Sequence, residues 1–393
     1  MDTRQRYLEY FDKIEKNNEK IKAYKTINKE HAIKALRNNE SPFPVVFSDQ
    51  ISTKGIKTTA NSKMLGSYIP PFDATVVERV KEAGGVILGK TISQEFGVGQ
   101  TQNTYGVCAA VAHGEGIIGF FTDHKGFIHS GAHEYGLFAY VPTYGIISRY
   151  GIIPVASSID RVGILSKTFD HLPKAMDIVA GKDERDGTTF PCDADFLKLK
   201  DIDLEKVKLA NITAFEGFEE VEKAFKKLNL PIAKVELMCL KYALPAYEII
   251  SSGEFATNME RYDGISFGYR SKEYNTVEEL YKNSRTEGLG NDVQAKIMFG
   301  NFVLSEGKYE PYYVQAMKAR TMIKENIENQ LETYEFLIAP VNPYCTVALN
   351  LAGLPCISIP FGEKGLLITS KAFNDKRLLE LTKTIVSRLE GDQ

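Results

Sequence analysis

The stretch PPFDATVVERVKEAGGVILGK, residues 70–90, carries the pattern that determines the fold class. Asp73 is a good helix N-cap, and the three valines that follow share one helical face: Val76, Val77 and Val80. Gly84 and Gly85 are predicted to end this helix, and the apolar residues 86–88 after them are typical of a buried strand. A helix that runs directly into a strand predicts an α/β fold.

The same alternation continues toward the C-terminus. Residues 206–237 contain KVKLANIT, GFEEVEKAFKKLNL and IAKVEL, which predict a strand, a helix and a second strand parallel to the first. Two further short buried strands are predicted at FLIAP, residues 336–340, and at PCISIP, residues 355–360.

No strong domain boundary is visible in the sequence, because it contains neither an internal repeat nor a low-complexity linker. We therefore predict a single domain over residues 1–393. Within it, residues 1–40 are predicted to form a helical N-terminal segment, and residues 240–335 to be mostly helical.

The composition is that of an ordinary globular protein, with 43% hydrophobic and 25% charged residues in a chain of 393. The formal net charge of -3 gives no electrostatic argument for nucleic acid or an anionic membrane as a partner. No apolar run is long enough for a membrane-spanning helix, and the charged N-terminus is not typical of a signal peptide. We interpret the five scattered cysteines as reduced thiols of a cytoplasmic protein.

A histidine-rich stretch, FTDHKGFIHSGAHEYG, occupies residues 121–136. Three of the chain's six histidines lie here, together with one serine and a central phenylalanine: His124, His129, His133, Ser130 and Phe127. The stretch could be a metal site, a catalytic serine in a histidine-rich pocket, or a loop that has lost an earlier function.

Six blocks of the sequence resemble the amidase-signature family, and within it the A subunits (GatA) of the bacterial tRNA-dependent amidotransferases. They extend from about Phe43 to Pro360 and follow the family's order: SDQISTKGIKTTANSKML, PPFDATVVERVKEAGGVILGKT, PTYGIISRYGIIPVASSIDRVGIL, KYALPAYEIISS, RYDGISFGYR and NLAGLPCISIP. The resemblance implies an α/β fold with a mixed β-sheet core surrounded by helices, and no cofactor.

The resemblance also implies a mechanism. Members of the family use a serine nucleophile, a second serine in a cis peptide bond, and a lysine that acts as a base through that second serine. Backbone N–H groups form the oxyanion hole. A serine hydroxyl is a poor nucleophile without such a base, and the developing oxyanion needs donors already in place.

Two of the three catalytic positions are lost in the first part of the chain. The family lysine, in a G-I-P-I-A-I-K-D-N-I motif, falls on Ser48, and a hydroxyl has no useful basicity near neutral pH. The Gly/Ser run that carries the second serine is missing, because QNTYG at residues 102–106 leads directly into VCAAV.

The nucleophile is predicted to be lost as well. The anchor PTYG, residues 142–145, is intact, and counting back from it places the D-T-G-G-S-I-R motif of the family on residues 123–129. Phe127 then occupies the nucleophile position, and Lys125 replaces one of the two glycines. A phenyl ring cannot attack a carbonyl group, so the sequence predicts loss of catalysis.

The groups that bind the glutamine donor in the family are also missing. The arginine of the Y-D-G-x-R-x-G block falls on Ser266, which offers one neutral hydroxyl in place of a charged bidentate fork. The segment with the acidic residue for the donor's amino group is absent, because residues 339–343 run within a few residues into Asn350. We expect no binding site for the donor.

Ser130 is the only nearby candidate for a substitute nucleophile. It lies three residues beyond Phe127, a displacement of ~4.5 Å along a helix. A misplacement of about 1 Å can already reduce a rate on the order of a hundredfold. Ser130 would also need a new base, so we interpret it as a structural residue.

A metal site is the remaining alternative for the histidines. If a helix follows the nucleophile position, His129 and His133 stand at i, i+4 on one face, with His124 nearby, and metal ligands use this spacing. The stretch has no H-E-x-x-H motif and no cysteine pair. We favour a degenerate pocket refilled with polar and aromatic side chains, and the metal site stays an open alternative.

The sequence thus predicts a catalytically inactive, GatA-like scaffold or regulatory partner linked to tRNA-dependent amidation. The alternative is an active A subunit of a glutamyl-tRNA(Gln) amidotransferase, or an amide hydrolase, with a rebuilt histidine-rich site. The resemblance implies GatB-like and GatC-like subunits as partners and only indirect contact with tRNA. No membrane partner is expected.

Overall fold

The structure is a computed structural model and describes residues 2–99, 105–192, 194–213, 217–228, 230–363 and 365–391. In chain order the strands are β1 (Tyr24–Ile27), β2 (Phe43–Ser48), β3 (Gly85–Thr91), β4 (Ile118–Asp123), β5 (Phe138–Val141), β6 (Arg161–Ser166), β7 (Leu209–Ile212), β8 (Ala233–Val235), β9 (Phe336–Pro340), β10 (Cys356–Ile359) and β11 (Leu366–Ser370). The α-helices are α1 (Thr3–Ile21), α2 (Lys29–Ala35), α3 (Thr75–Glu82), α4 (Gly106–Ala112), α5 (Phe127–Glu134), α6 (His171–Val179), α7 (Phe218–Lys227), α8 (Ala243–Met259), α9 (Val277–Gly288), α10 (Asn291–Leu304), α11 (Gln315–Thr333), α12 (Pro343–Ala352) and α13 (Asp375–Gly391).

The chain divides into two compact units. Unit 1 is made of Met1–Thr122, Arg149–Asp160 and Ile249–Tyr313, and unit 2 of Asp123–Ser148, Arg161–Glu248 and Val314–Gln393. Each unit draws on three separated stretches of chain, which explains why no boundary is visible in the sequence. The single domain predicted over residues 1–393 stays a prediction.

Unit 1 contains a mixed sheet in the order β1-β3-β2-β4. The pairs β3–β2 and β2–β4 are parallel, and β1 pairs antiparallel with β3. Helices α2, α3 and α4 pack on this sheet. The strand β1 was not predicted, because the N-terminal segment was interpreted as helical throughout.

The stretch at residues 70–90 forms the predicted helix and strand, α3 followed by β3. The three valines of α3 are buried: Val76, Val77 and Val80. The N-cap prediction was wrong, because the cap position is Ala74. Asp73 instead accepts a hydrogen bond from the Lys54 backbone amide at 2.7 Å and pairs with Lys81 at 2.7 Å. The aspartate thus ties a loop to the helix rather than capping it.

The strands of unit 2 follow the order β6-β5-β10-β11-β9-β7-β8, with mixed parallel and antiparallel pairs. The predicted strand, helix and parallel strand are confirmed as β7, α7 and β8, and β9 pairs parallel with β7. The remaining neighbours are antiparallel. Helices α5, α6, α7, α11 and α13 pack on these strands, so the predicted α/β architecture with a mixed sheet is confirmed.

Helices are found through most of residues 240–335, and one of their functions is to complete the core of unit 1. Phe255, Met259 and Val293 from α8 and α10 join a buried cluster with Met64 and Phe96. Among the described residues, no helix is both long and apolar enough to cross a membrane.

Candidate functional site

The predicted nucleophile position lies at the start of helix α5 in unit 2. Phe127 is the first residue of this helix and is half-buried. The residue before it, Gly126, has φ +74°, and its backbone amide donates to both carboxylate oxygens of Asp123, at 3.0 and 3.1 Å. The turn to which the resemblance assigns the nucleophile is ordered here, and it presents a phenyl ring.

Lys125 lies against that ring. Its Nζ is 4.6 Å from the centroid of Phe127 and 5.2 Å from the centroid of Tyr247. The same Nζ donates to Glu248 Oε1 at 2.6 Å. The two residues predicted to replace a glycine and the serine of the family motif are thus in contact with each other.

The candidate substitute nucleophile, Ser130, lies on α5 and is half-buried. Its hydroxyl has no hydrogen-bond partner among the described residues. A serine needs a base within hydrogen-bond reach to become nucleophilic, and none contacts Ser130 in this part of the chain. This geometry agrees with its interpretation as a structural residue.

The three histidines proposed as metal ligands have separate partners. His124 Nδ1 lies 2.5 Å from the Tyr247 hydroxyl, and the two rings are stacked. His133 Nε2 lies 2.8 Å from the backbone oxygen of Glu363. His129 is fully buried. No group of three or more His, Cys, Asp or Glu that could hold a metal ion exists in the part of the chain that the structure describes. The geometry gives the metal interpretation no support.

His129 is a neutral core residue that joins α5 to β10. Its Nδ1 lies 2.9 Å from Ser358 Oγ, and its Nε2 lies 3.3 Å from Cys356 Sγ. Burial, and then the positive charge of Arg161, lower the pKa of His129 to about 3. Burial raises the pKa of the Cys356 thiol to about 12, so this pair is no thiolate–imidazolium nucleophile.

We expect His129 to make the free energy of unfolding fall as the pH is lowered. Its folded-state pKa lies below the ordinary value of 6.5, so the unfolded chain binds the proton more readily. The contribution of the neutral His129 to the free energy of unfolding is complete above pH 6.5. It is lost as the pH falls toward about 3, at about 1.4 kcal/mol per pH unit. We expect a His129→Leu variant to lack this component when urea unfolding is measured from pH 7 to pH 4. Equal pH slopes in the two proteins would contradict the assignment.

A buried charge network underlies α5 in unit 2. Arg161 is 2% exposed, and its Nη1 donates to the backbone oxygens of Pro142 and Leu354, at 2.9 and 2.6 Å. Its Nη2 donates to Asn350 Oδ1, and Asn350 Nδ2 donates in turn to the carboxylate of Asp123. The network therefore holds Asp123 in place, and Asp123 accepts the hydrogen bonds from the Gly126 amide in the turn before Phe127.

A second carboxylate completes this network. Asp375 accepts from the Tyr140 hydroxyl at 2.5 Å and from the backbone amide and hydroxyl of Thr143, at 2.9 and 2.5 Å. Burial raises the pKa of Asp375 and that of Asp123, and Arg161 opposes the rise in both. This network was not predicted from the sequence. A single arginine at the start of the otherwise apolar strand RVGILS was the signal that could have revealed it.

The lysine position belongs to unit 1. Ser48 is the last residue of β2 and is 3% exposed, and its hydroxyl has no hydrogen-bond partner among the described residues. Two residues further, Gln50 accepts at Oε1 from Thr122 Oγ1 at 3.0 Å. The position therefore holds a buried neutral hydroxyl and no base.

Unit 1 contains one fully buried lysine, Lys90 on β3, which was not predicted either. Its Nζ donates to the backbone oxygen of Ile51 and, at 3.0 Å, to Thr53 Oγ1. Burial lowers the pKa of Lys90 to about 7. In register, Phe47 pairs with Lys90 and Ser48 with the next residue of β3, so Lys90 lies on the opposite face of the sheet from Ser48. It does not take the place of the family lysine.

The remaining predicted positions are also described, with one exception. Ser266 lies in an exposed turn of unit 1, where its amide and hydroxyl donate to Asp263 at 3.1 and 3.3 Å. In unit 2, β9 leads directly into α12, which is capped by the Asn342 side chain, so no further segment lies between them. The predicted loss of the bridging serine falls at residues 102–106, of which 102–104 lie outside the described residues.

Comparison with known proteins decides the family. The Amidase family model matches residues 7–108 and 104–348. The chain belongs to the amidase family. As an amidase-family chain it is GatA-like: it is 33% identical over 448 residues to the A subunit of glutamyl-tRNA(Gln) amidotransferase from Carboxydothermus hydrogenoformans, covering 97% of this chain and 92% of the relative. The corresponding A subunit from Archaeoglobus fulgidus is 32% identical over 443 residues, covering 98% and 96%.

Solved structures support the same placement of this chain. The A subunit of glutamyl-tRNA(Gln) amidotransferase from Thermotoga maritima superimposes with a TM-score of 0.77 at 27% identity, covering 96% of this chain and 89% of that one. The peptide amidase of Stenotrophomonas maltophilia superimposes with a TM-score of 0.80 at 22% identity, covering 99% and 94%, and shares the fold. The 448 aligned positions exceed the 393 residues of this chain, so the chain is shorter than its relatives within the alignment.

Proposed function

We propose that this chain is a catalytically inactive, GatA-like member of the amidase family that serves as a scaffold or regulatory partner in tRNA-dependent amidation. The observation that carries the proposal is Phe127, which begins α5 and which the sequence pattern assigns to the position of the family nucleophile. The phenyl ring has no nucleophilic atom, and no neighbouring hydroxyl compensates for it.

The position of the family base supports the same proposal. Ser48 is buried at the end of β2, and a neutral hydroxyl cannot take a proton from a nucleophile near pH 7. The buried Lys90 lies on the other face of the sheet and is held by Ile51 and Thr53. Substrate recognition is weakened in parallel, since Ser266 is tied into an exposed turn.

The hydrogen-bonded polar network around Arg161 supports a function that depends on a folded chain, such as that of a scaffold. Both terminal nitrogens of the buried Arg161 donate hydrogen bonds, whereas its Nε has no hydrogen-bond partner among the described residues. We propose GatB-like and GatC-like subunits as partners, because the relatives are A subunits of amidotransferases. With a net charge of -3, this chain contacts tRNA only through such a partner, in the cytoplasm.

Co-purification followed by amidation assays tests the proposal. The chain is expressed with B-type and C-type subunits, and the complex is supplied with misacylated Glu-tRNA(Gln), ATP and either glutamine or ammonium chloride. We expect a stable complex that uses ammonium but not glutamine. Glutamine-dependent amidation that a Ser130→Ala change abolishes would establish the active alternative. Failure to form any complex would refute the scaffold.

A further inference from the structure

The strongest unexplained feature is a cluster in unit 2 that we call the Lys125 cage, made of Lys125, Phe127, Tyr247 and Glu248. Two ring faces and one carboxylate surround a single ammonium group, at 4.6 and 5.2 Å from the ring centroids and 2.6 Å from Glu248 Oε1. Both ring distances lie within the range at which an aromatic face attracts a cation. An isolated surface ion pair would contribute little, whereas two rings and a carboxylate on one cation form a recognition geometry.

The sequence shows how this cage arose in the chain. Lys125 and Phe127 occupy motif positions at which the family has a glycine and its serine nucleophile. The two replacements contact each other directly, since the lysine ammonium lies over the new phenyl ring. The two side chains therefore form one contact at the turn where the nucleophile is predicted.

We propose that the Lys125 cage is a binding site for an alkylammonium group, and that the side chain of Lys125 is its resident ligand. The ring faces supply negative quadrupole potential, and Glu248 supplies a full negative charge to the same cation. The cage is open to solvent, because the Lys125 and Glu248 side chains are 21% and 45% exposed. An external alkylammonium is therefore able to enter when the lysine ammonium is removed.

A cavity experiment tests this inference. A Lys125→Ala variant loses the side chain beyond Cβ, and n-propylammonium has the size of the missing part. We expect this variant to bind n-propylammonium saturably, roughly tenfold more tightly than the wild-type chain does, by calorimetric titration at constant ionic strength. 1-Propanol, the neutral probe of the same size, should bind both proteins equally weakly. Equal n-propylammonium affinities, or equally tight binding of 1-propanol, would overturn the proposal.

A matched control separates the cage from a single cation–π contact. Lys241 lies 5.1 Å from the ring centroid of Tyr242, an exposed pair with one ring. A Lys241→Ala variant should gain no n-propylammonium site. The double variant Lys125→Ala/Phe127→Leu should lose the site gained by Lys125→Ala alone. Retained binding in the double variant would refute the role of the ring.

A second measurement uses the wild-type chain, so it tests the proposal even if the Lys125→Ala variant fails to fold. Amine acylation followed by mass spectrometry should label Lys125 roughly tenfold more slowly than the exposed Lys241, because two rings and the Glu248 carboxylate surround the Lys125 ammonium and hinder the approach of the reagent. A Glu248→Gln change should raise the labelling rate of Lys125 and leave that of Lys241 unchanged. Equal labelling of the two lysines in the wild-type chain would contradict the cage. The outcome is independent of catalysis, so it separates this inference from the proposed function.

Discussion

Replacing Arg161 by methionine is expected to lower the free energy of unfolding by about 3–5 kcal/mol, the range for breaking a buried ion pair on one side. Methionine keeps much of the side-chain volume but removes every hydrogen-bond donor. The backbone oxygens of Pro142 and Leu354 and the side-chain oxygen of Asn350 then lose their donor. The buried carboxyl of Asp123 also loses the cation that opposes its raised pKa.

Urea unfolding followed by circular dichroism measures this loss at pH 7. The control is Lys198→Met, because Lys198 is 85% exposed and pairs with Asp195, which is 41% exposed, at the surface. We expect the control to change the free energy of unfolding by no more than about 0.5 kcal/mol. A similar loss in both variants would show that the buried network has no special role.

Replacing Gly126 by alanine is expected to cost about 2–4 kcal/mol. The residue has φ +74°, which disfavours any side chain, and an added Cβ would lie 2.5 Å from Thr346 Cβ. Relief requires a shift of the turn that joins Asp123 to α5, so the hydrogen bonds from the Gly126 amide to that carboxylate would weaken.

Gly136 provides a control with the same backbone strain and no collision. It has φ +66°, and nothing lies within 4 Å of an added Cβ. Gly136→Ala should therefore cost only about 1 kcal/mol. The difference between the two variants in urea unfolding isolates the steric part. If both variants lose the same stability, the close approach of Gly126 to Thr346 is not a constraint on the turn.

Local patterns predicted much of the fold because periodicity and turn residues act locally. The helix and strand within residues 70–90 formed as expected, and so did the parallel pair β7 and β8. The N-cap was wrong at Asp73, because its carboxylate had a distant competitor in Lys81 and a loop amide. The strand β1 escaped detection because it is four residues long and is defined by its pairing with β3, a contact that no local pattern encodes.

The sequence could predict which residue types occupy the candidate site. Phe127 begins α5, the helix considered for the histidines, and Ser48 is the neutral residue predicted at the lysine position. The polar partners near Phe127 were not predictable, because Arg161 and Glu248 reach Asn350 and Lys125 from distant parts of the chain. The i, i+4 spacing of His129 and His133 was real, but the spacing alone did not reveal that His129 is buried against Ser358.

The most direct test of the central claim is the rate of glutamine hydrolysis. It is measured for the purified chain, by itself and with B-type and C-type subunits, beside the Thermotoga maritima relative treated in the same way. We predict no release of ammonia above background from this chain, and the same result for its Ser130→Ala variant. Glutamine hydrolysis by the wild-type chain that is lost in Ser130→Ala would contradict the account.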